Sequence, residues 1–148
     1  MSETNNKITN SSIVDKNSND AFFMLQAESQ SELSKCLKIK VGSVLVKDDI
    51  IIGRGFNKAP CECAECNVLK KGHCDKAIHA EAETLIDALH RNAIPEGATM
   101  YVTHFPCVEC SQLIKNAGIS RLVYKRDYND ERGDQKAYLW GIELRQVE

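Results

Sequence analysis

The sequence has no strong excess of charge of either sign and no long hydrophobic run. Its 19 Lys and Arg residues are balanced by 21 Asp and Glu residues, for a formal net charge of -2. A general nucleic-acid-binding protein normally carries a basic excess, so the composition argues against RNA or DNA as a partner. No apolar stretch approaches the roughly 20 residues that span a membrane, so we expect no membrane partner either.

The N-terminal residues also lack the basic-then-apolar order of a signal peptide. Residues 1–19 are rich in Asn and Ser, and we expect them to form a disordered polar tail before a single domain over residues 20–148. We expect a cytoplasmic protein. The seven cysteines are an odd number with no complete pairing inside one chain. In a reducing compartment they are metal ligands or free thiols rather than disulfides.

Helical and strand patterns alternate along the domain. A first helix is predicted over Asp20–Cys36, with an apolar face made of Phe22, Phe23, Leu25, Leu33 and Leu37. The remaining predicted elements are strands at 41–47 and 50–53, an irregular stretch at 54–78, a helix at 79–91, a strand at 100–103, a helix at 107–117, a strand at 122–124, a short helix at 135–140 and a strand at 142–147. This alternation predicts an α/β sheet covered by helices.

Two short motifs supply ligands that suit one zinc ion. The first, His79-Ala80-Glu81, contains a histidine, and the second, Pro106-Cys107-Val108-Glu109-Cys110, contains two cysteines. A catalytic zinc usually keeps three protein ligands and leaves a fourth position for water, so His79, Cys107 and Cys110 form a complete set. Glu81 is close enough to act on that water without ligating the metal. Either motif alone could be a helix cap or buried core; the two in this order match the signature of zinc-dependent nucleobase deaminases.

With these motifs the chain resembles the cytidine deaminase superfamily, and within it the bacterial and phage deoxycytidylate (dCMP) deaminases and their competence-operon relatives. Beyond the zinc motifs, the resemblance is carried by residues 41–46, Gly55-Phe56-Asn57, Ala59-Pro60, residues 101–107 and Ala117-Gly118-Ile119. It implies a three-layer α/β/α sandwich with a central mixed sheet of about five strands. It also implies a homo-oligomeric, zinc-dependent enzyme that hydrolyses dCMP to dUMP and ammonia, with Glu81 as the proton carrier.

The resemblance further assigns contacts to the substrate. Relatives hold the nucleotide partly through the Asn of the Gly-aromatic-Asn loop, which corresponds to Asn57. Lys38 occupies a place where relatives often carry a basic residue facing the phosphate, and Tyr128 follows the fourth strand, where relatives often have a Tyr near the substrate. Asn57 could instead support a tight turn, and Lys38 could be a solvated surface residue. Both interpretations remain open at this point.

Two positions depart from the pattern of the dCMP deaminases. Those enzymes usually have His-Ala-Glu-x-Asn-Ala, whereas Glu83 replaces the Asn here, and Lys58 replaces the Gly that usually follows the loop Asn. Glu83 could repel a phosphate or bind an amino or hydroxyl group of another substrate, and Lys58 could supply positive charge to a phosphate. The alternatives to dCMP deamination are therefore a zinc-dependent deaminase of another amino-heterocycle (a nucleoside, a free base or another nucleotide) and a non-catalytic zinc-binding module on the same fold.

A second group of metal-ligand candidates precedes the catalytic motif. They are Cys36, Cys61, Cys63, Cys66, His73 and Cys74. Some dCMP deaminases of this type hold a second, structural zinc with the cysteine that matches Cys36 and with ligands from the following loop. Structural zinc usually has four protein ligands, so we expect Cys36, Cys66 and Cys74 with one of the other two loop cysteines, and His73 could replace one of them. The alternative is a loop whose thiols bind nothing.

Overall fold

The structure consists of one mixed sheet with helices on both of its faces. It is a computed structural model that describes residues 19–36, 38–58 and 77–148. In chain order its elements are α1 (residues 19–32), β1 (Gly42–Lys47), β2 (Ile50–Phe56), α2 (Ala80–His90), β3 (Thr99–His104), α3 (Val108–Asn116), β4 (Arg121–Arg126), a 3₁₀ helix (Gln135–Leu139) and β5 (Glu143–Gln146).

Five strands of the described chain pair in the order β2-β1-β3-β4-β5. Strand β1 is antiparallel to both of its neighbours, and β4 is parallel to both of its own. Because successive side chains of a strand point to opposite faces, the sheet separates two hydrophobic clusters. Phe23, Met24 and Ala27 of α1 pack on one face, and Ala88 of α2 with Ile114 of α3 pack on the other. The predicted three-layer α/β/α arrangement is confirmed.

The predicted apolar face of α1 is confirmed at Phe23 but is wrong at three other positions. Phe22, Leu25 and Leu33 are more than half exposed, whereas Phe23, Met24 and Ala27 are buried; Leu37 lies outside the described residues. The helix also ends at residue 32 rather than at Cys36. The buried stripe of α1 begins with a charged residue, Asp20, so a search for apolar residues alone selects the wrong face.

Asp20 is buried because it is fully paired with residues of the sheet. Only 1% exposed, it accepts hydrogen bonds from Nη1 and Nη2 of Arg121 at 2.7 and 2.6 Å and from the Tyr101 hydroxyl at 2.6 Å. Burial raises the pKa of this carboxyl, but the bonds from Arg121 and Tyr101 outweigh it and hold the pKa below its usual value. A buried charge is tolerated when it is paired in this way, and the pairing fixes α1 on β3 and β4.

Strand β2 is longer than predicted and carries α2 on its surface. It continues to Phe56, so residues 54–56, which were predicted to be irregular, belong to the sheet. A Cβ atom at Gly55 would lie 2.6 Å from the backbone nitrogen of Thr84 in α2. Glycine is therefore required here for close approach, and the first turn of α2 rests directly on the strand.

The boundary between the predicted tail and the domain lies close to the first described residue. Asn19, which was predicted to end the tail, is already helical, and residues 1–18 lie outside the described residues. Within the described chain, no helix is long and apolar enough to cross a membrane.

Candidate active site

The predicted ligands of the catalytic zinc meet at one point of the structure. Nδ1 of His79 lies 3.3 Å from Sγ of Cys110 and 3.4 Å from Sγ of Cys107, and the three ligand atoms lie within 4.8 Å of one another. A tetrahedral zinc with bonds of about 2.0–2.1 Å to nitrogen and about 2.3 Å to sulfur holds such atoms about 3.6 Å apart. The donor atoms and their spacing fit a zinc ion bound through Nδ1 of the histidine.

Each ligand lies at the beginning of a helix on the same face of the sheet. His79 is the N-cap of α2, Cys107 is the N-cap of α3, and Cys110 lies in the first turn of α3. Helix N-termini favour negative charge because their first N–H groups have no partner within the helix. The hydrogen bond between the two cysteines lowers the pKa of Cys107 and raises that of Cys110. Of the two sulfurs, Cys107 therefore loses its proton more readily.

Glu81 lies beside these ligands and is buried. Its side chain is 4% exposed, and burial raises the pKa of its carboxyl to about 7. Acid–base catalysis is most effective when the pKa of the group lies near the working pH. The arrangement therefore places a group that can both accept and release a proton next to a metal site.

An open cleft leads to the ligands and contains three of the predicted substrate contacts. Its walls include Lys38, Asn57 and Tyr128 together with His79, Glu81 and Cys107. Cys36 and His104 also lie in the wall. The structure thus brings residues from five separate parts of the chain to a cleft that leads to Glu81.

Asn57 makes structural contacts with both ends of its side-chain amide. Its Oδ1 accepts from the backbone nitrogen of Val41 at 2.9 Å, and its Nδ2 donates to the carbonyl of Ile39 at 2.9 Å. The residue is 8% exposed. Of the two interpretations of Asn57, these contacts favour a structural one, although they hold the 39–41 segment beside Lys38 rather than a tight turn.

The two positions that depart from the family pattern contact each other. Nζ of Lys58 lies 3.3 Å from Oε2 of Glu83, and the backbone of Lys58 pairs with that of Ile78, next to His79. Among the described residues, neither Lys58 nor Glu83 belongs to the walls of the cleft. The positive charge of Lys58 therefore offsets the negative charge of Glu83 near the N-terminus of α2.

Three residues near the site were not predicted from the sequence. His104 lies in the cleft wall, where burial, together with the charge of Arg126, lowers its pKa. Asp130 and Arg132 follow β4 and reach the first turn of α3. His104 was part of the motif that carries the resemblance, so its place before Pro106-Cys107 was a usable signal. No local pattern in the sequence identifies Asp130 or Arg132.

The predicted second zinc site falls largely outside the described residues. Cys36 is described and half-buried in the cleft wall. Cys61, Cys63, Cys66, His73 and Cys74 all lie in the segment 59–76, which the structure does not describe. The second site stays a prediction.

Comparison with known proteins agrees with this geometry. Residues 17–126 match the sequence model of the "Cytidine and deoxycytidylate deaminase zinc-binding region". The chain belongs to the cytidine and deoxycytidylate deaminase family. The matched range contains all four residues of the candidate zinc site, His79, Glu81, Cys107 and Cys110.

Individual proteins that are similar to this chain match most of its length. This chain is 37% identical over 123 residues to the deoxycytidylate deaminase of Mycobacterium phage D29, and the match covers 73% of this chain and 94% of the phage protein. It is 32% identical over 132 residues to ComE operon protein 2 of Bacillus subtilis, covering 86% and 70% of the two chains. A crystal structure of the cyanophage S-TIM5 dCMP deaminase, in complex with dCMP and dUMP, has a TM-score of 0.73 at 28% identity and covers 86% of this chain and 95% of that one.

Proposed function

We propose that this protein is a zinc-dependent deaminase that hydrolyses dCMP to dUMP and ammonia. The observation that carries the proposal is the meeting of His79, Cys107 and Cys110 beside a buried Glu81 at the end of an open cleft. Relatives named deoxycytidylate deaminase, and the cyanophage enzyme in complex with dCMP and dUMP, support this choice of substrate.

The three metal ligands and Glu81 have different roles in the reaction. Nδ1 of His79 and the sulfurs of Cys107 and Cys110 would hold the zinc. When bound, zinc supplies a Lewis acid that makes water a nucleophile near neutral pH. Glu81 would take one proton from the attacking water and deliver it to N3 of the pyrimidine ring. It would then take the second proton from the hydroxyl group on C4 and deliver it to the amine, which leaves as ammonia when the C4–N bond breaks. Burial raises the pKa of the Glu81 carboxyl, which favours its use as a proton donor as well as an acceptor.

Lys38 and Tyr128 are the proposed contacts to the nucleotide. Both lie in the cleft wall with Glu81, and a lysine ammonium is a compact positive charge suited to the 5′-phosphate. Asn57 holds the backbone next to Lys38 and has one remaining N–H that could reach the sugar. Lys58 and Glu83 act as a neutralised pair rather than as separate contacts.

A second candidate is the deamination of another phosphorylated aminopyrimidine. The chain is 28% identical, at a TM-score of 0.67, to a diaminohydroxyphosphoribosylaminopyrimidine deaminase/5-amino-6-(5-phosphoribosylamino)uracil reductase from Thermotoga maritima, and it covers 36% of that longer protein. This substrate class would use the same zinc and the same proton carrier. A cytoplasmic location, a homo-oligomeric state and a second structural zinc stay predictions from the sequence.

Ammonia release from a substrate panel tests the proposal. We expect turnover of dCMP in preference to deoxycytidine, cytidine, cytosine and adenine compounds. The Glu81→Gln variant should retain zinc and lose about 10²–10⁴-fold in rate. Glu32→Gln, which removes an exposed carboxylate on α1, is the matched control and should behave like the unchanged protein. Near-normal turnover by Glu81→Gln would refute the assigned role, and turnover of another panel member instead of dCMP would move the substrate but keep the mechanism.

A further inference from the structure

Helix α3 carries two of the three zinc ligands but has no side-chain cap of its own. Its N-cap is Cys107, whose side chain makes no capping hydrogen bond and whose sulfur lies against Nδ1 of His79. The first N–H groups of a helix need acceptors from elsewhere, and a ligand sulfur directed at a metal does not serve as one. The N-terminus of α3 therefore needs an acceptor from another part of the chain.

Asp130 supplies that acceptor from the loop after β4. Its Oδ2 accepts from the backbone nitrogen of Val108, the residue directly after Cys107, at 2.9 Å. A carboxylate at a helix N-terminus is also favoured by the helix dipole. The bond holds the backbone of α3 between its two zinc ligands.

The position of Asp130 is itself fixed by Arg132. Asp130 is 4% exposed and accepts from the backbone nitrogen, Nε and Nη2 of Arg132 at 3.0, 2.9 and 2.8 Å. The same guanidinium reaches both oxygens of Glu109, in the first turn of α3, at 2.6 and 2.7 Å. Arg132 thus joins the Asp130 loop to the helix a second time.

The charges explain why an arginine is needed at this place. The ligand atoms of Cys107, Glu109 and Asp130 lie within 4.8 Å of one another, so the loop after β4 brings a second carboxylate to the start of α3. The Arg132 guanidinium bonds to both carboxylates and offsets their mutual repulsion. With the guanidinium paired to both carboxylates, we assign no additional metal to this cluster.

We propose that Asp130 is a positioning residue for the zinc site, holding Cys107 and Cys110 in place through Val108. Arg132 keeps Asp130 in position. The inference rests on the zinc ligands proposed above. A loop anchor with no influence on the metal is the alternative, and it predicts lower thermal stability with unchanged zinc retention.

Zinc release from the folded holoenzyme separates these two roles. The rate of zinc release is followed with a chromogenic chelator well below the melting temperature of each variant. The phase that the unchanged protein shows and Cys107→Ser lacks is assigned to zinc at this site. Asp130→Ala should release this zinc about 10–100-fold faster, the usual effect of losing an outer partner of a metal ligand. Its cobalt-substituted form should show a shifted thiolate-to-cobalt charge-transfer band.

Two further variants identify the bond that matters. Asp130→Asn can still accept from Val108 but cannot satisfy all the donors of Arg132, so its zinc release should increase by less than about tenfold, below the range expected for Asp130→Ala. Asp134→Asn is the matched control, because Asp134 is likewise a carboxylate at a helix N-terminus but accepts from the backbone nitrogen of Lys136 at the start of the 3₁₀ helix, and the variant should release zinc at the unchanged rate.

The outcomes distinguish failure of this inference from failure of the proposed function. Release from Asp130→Ala at the unchanged rate, or an equal acceleration in Asp134→Asn, would overturn the positioning role. Equal effects of Asp130→Ala and Asp130→Asn would also overturn it, because the bond to Val108 would then not be the cause. If Cys107→Ser retained all the zinc of the unchanged protein, the proposed metal site itself would be wrong.

Discussion

The Asn57→Ala variant distinguishes a structural role of Asn57 from a direct contact with the substrate. The substitution removes the acceptor of the Val41 N–H and the donor to the Ile39 carbonyl. A buried polar group left without a partner costs about 1–3 kcal/mol. Both groups are only partly buried, so we take the lower part of that range for each and expect a total loss of about 2–3 kcal/mol.

A loss of this size is measurable by ordinary unfolding experiments. In a chain of this length, 1 kcal/mol lowers the melting temperature by about 2–4 °C, so Asn57→Ala should melt about 5–10 °C lower. Asn116→Ala removes an exposed Asn at the end of α3 and should change stability by less than about 0.5 kcal/mol. Asn57→Asp keeps an acceptor for Val41 but places a carboxylate oxygen against the Ile39 carbonyl, so it should also be destabilised.

The activity of the same variants tests the link to substrate binding. At a temperature where Asn57→Ala is fully folded, its kcat/KM for dCMP should fall more than that for deoxycytidine, because the segment beside Lys38 is no longer held. Zinc content should not change. A stability loss below about 0.5 kcal/mol, combined with a large loss of kcat/KM, would refute the structural role and make Asn57 a direct substrate contact.

Two other paired sites give further expectations. Asp20→Asn should lower the free energy of unfolding by about 3 kcal/mol at neutral pH, since it leaves the buried Arg121 with less compensation, and denaturant titrations at several pH values measure this. The pKa of Asp20 is lowered in the folded state, so its contribution to the free energy of unfolding is present above the pKa of the unfolded carboxyl and is lost as the pH falls through the folded pKa. The stability of Asp20→Asn should therefore fall less in acid than that of the unchanged protein. An equal fall in both proteins would contradict this. Lys58→Met should raise the KM for dCMP more than that for deoxycytidine by leaving Glu83 unpaired, and adding Glu83→Gln should reverse the effect; a double variant no better than Lys58→Met would show that the pair does not matter.

The sequence was sufficient for the parts of the site that depend on local spacing. Glu81 follows the N-cap His79 by two residues and Cys110 follows the N-cap Cys107 by three, so each motif keeps its two residues at one helix N-terminus. The order of the two motifs along the chain then identified the chemistry. The alternation of helix and strand segments along the chain likewise predicted an α/β sheet covered by helices.

The parts that could not be predicted depend on partners distant in the sequence. Asp20 faces the sheet only because Arg121, 101 residues away, pairs with it, so hydrophobicity alone selected the wrong face of α1. Glu83 and Lys58 were treated as two separate departures, and only their 3.3 Å contact shows that they neutralise each other. The role of Asp130 depends on the bond to Val108 across the loop after β4, which no pattern in the sequence encodes.

The two helices that carry the zinc ligands are positioned in different ways for the same reason. Both begin at a ligand, His79 or Cys107, whose side chain makes no capping bond, so each helix must be held by another part of the protein. Helix α2 is held by close packing, since a Cβ atom at Gly55 would be 2.6 Å from its backbone and the Ser43 hydroxyl donates to the carbonyl of Ala80 at 3.1 Å. Helix α3 has no strand so close to its first turn, and the carboxylate of Asp130 takes that role. Two contacts therefore set the distance between His79 and the two cysteines: the close approach of Gly55 in β2 to α2, and the bond from Val108 in α3 to the buried Asp130.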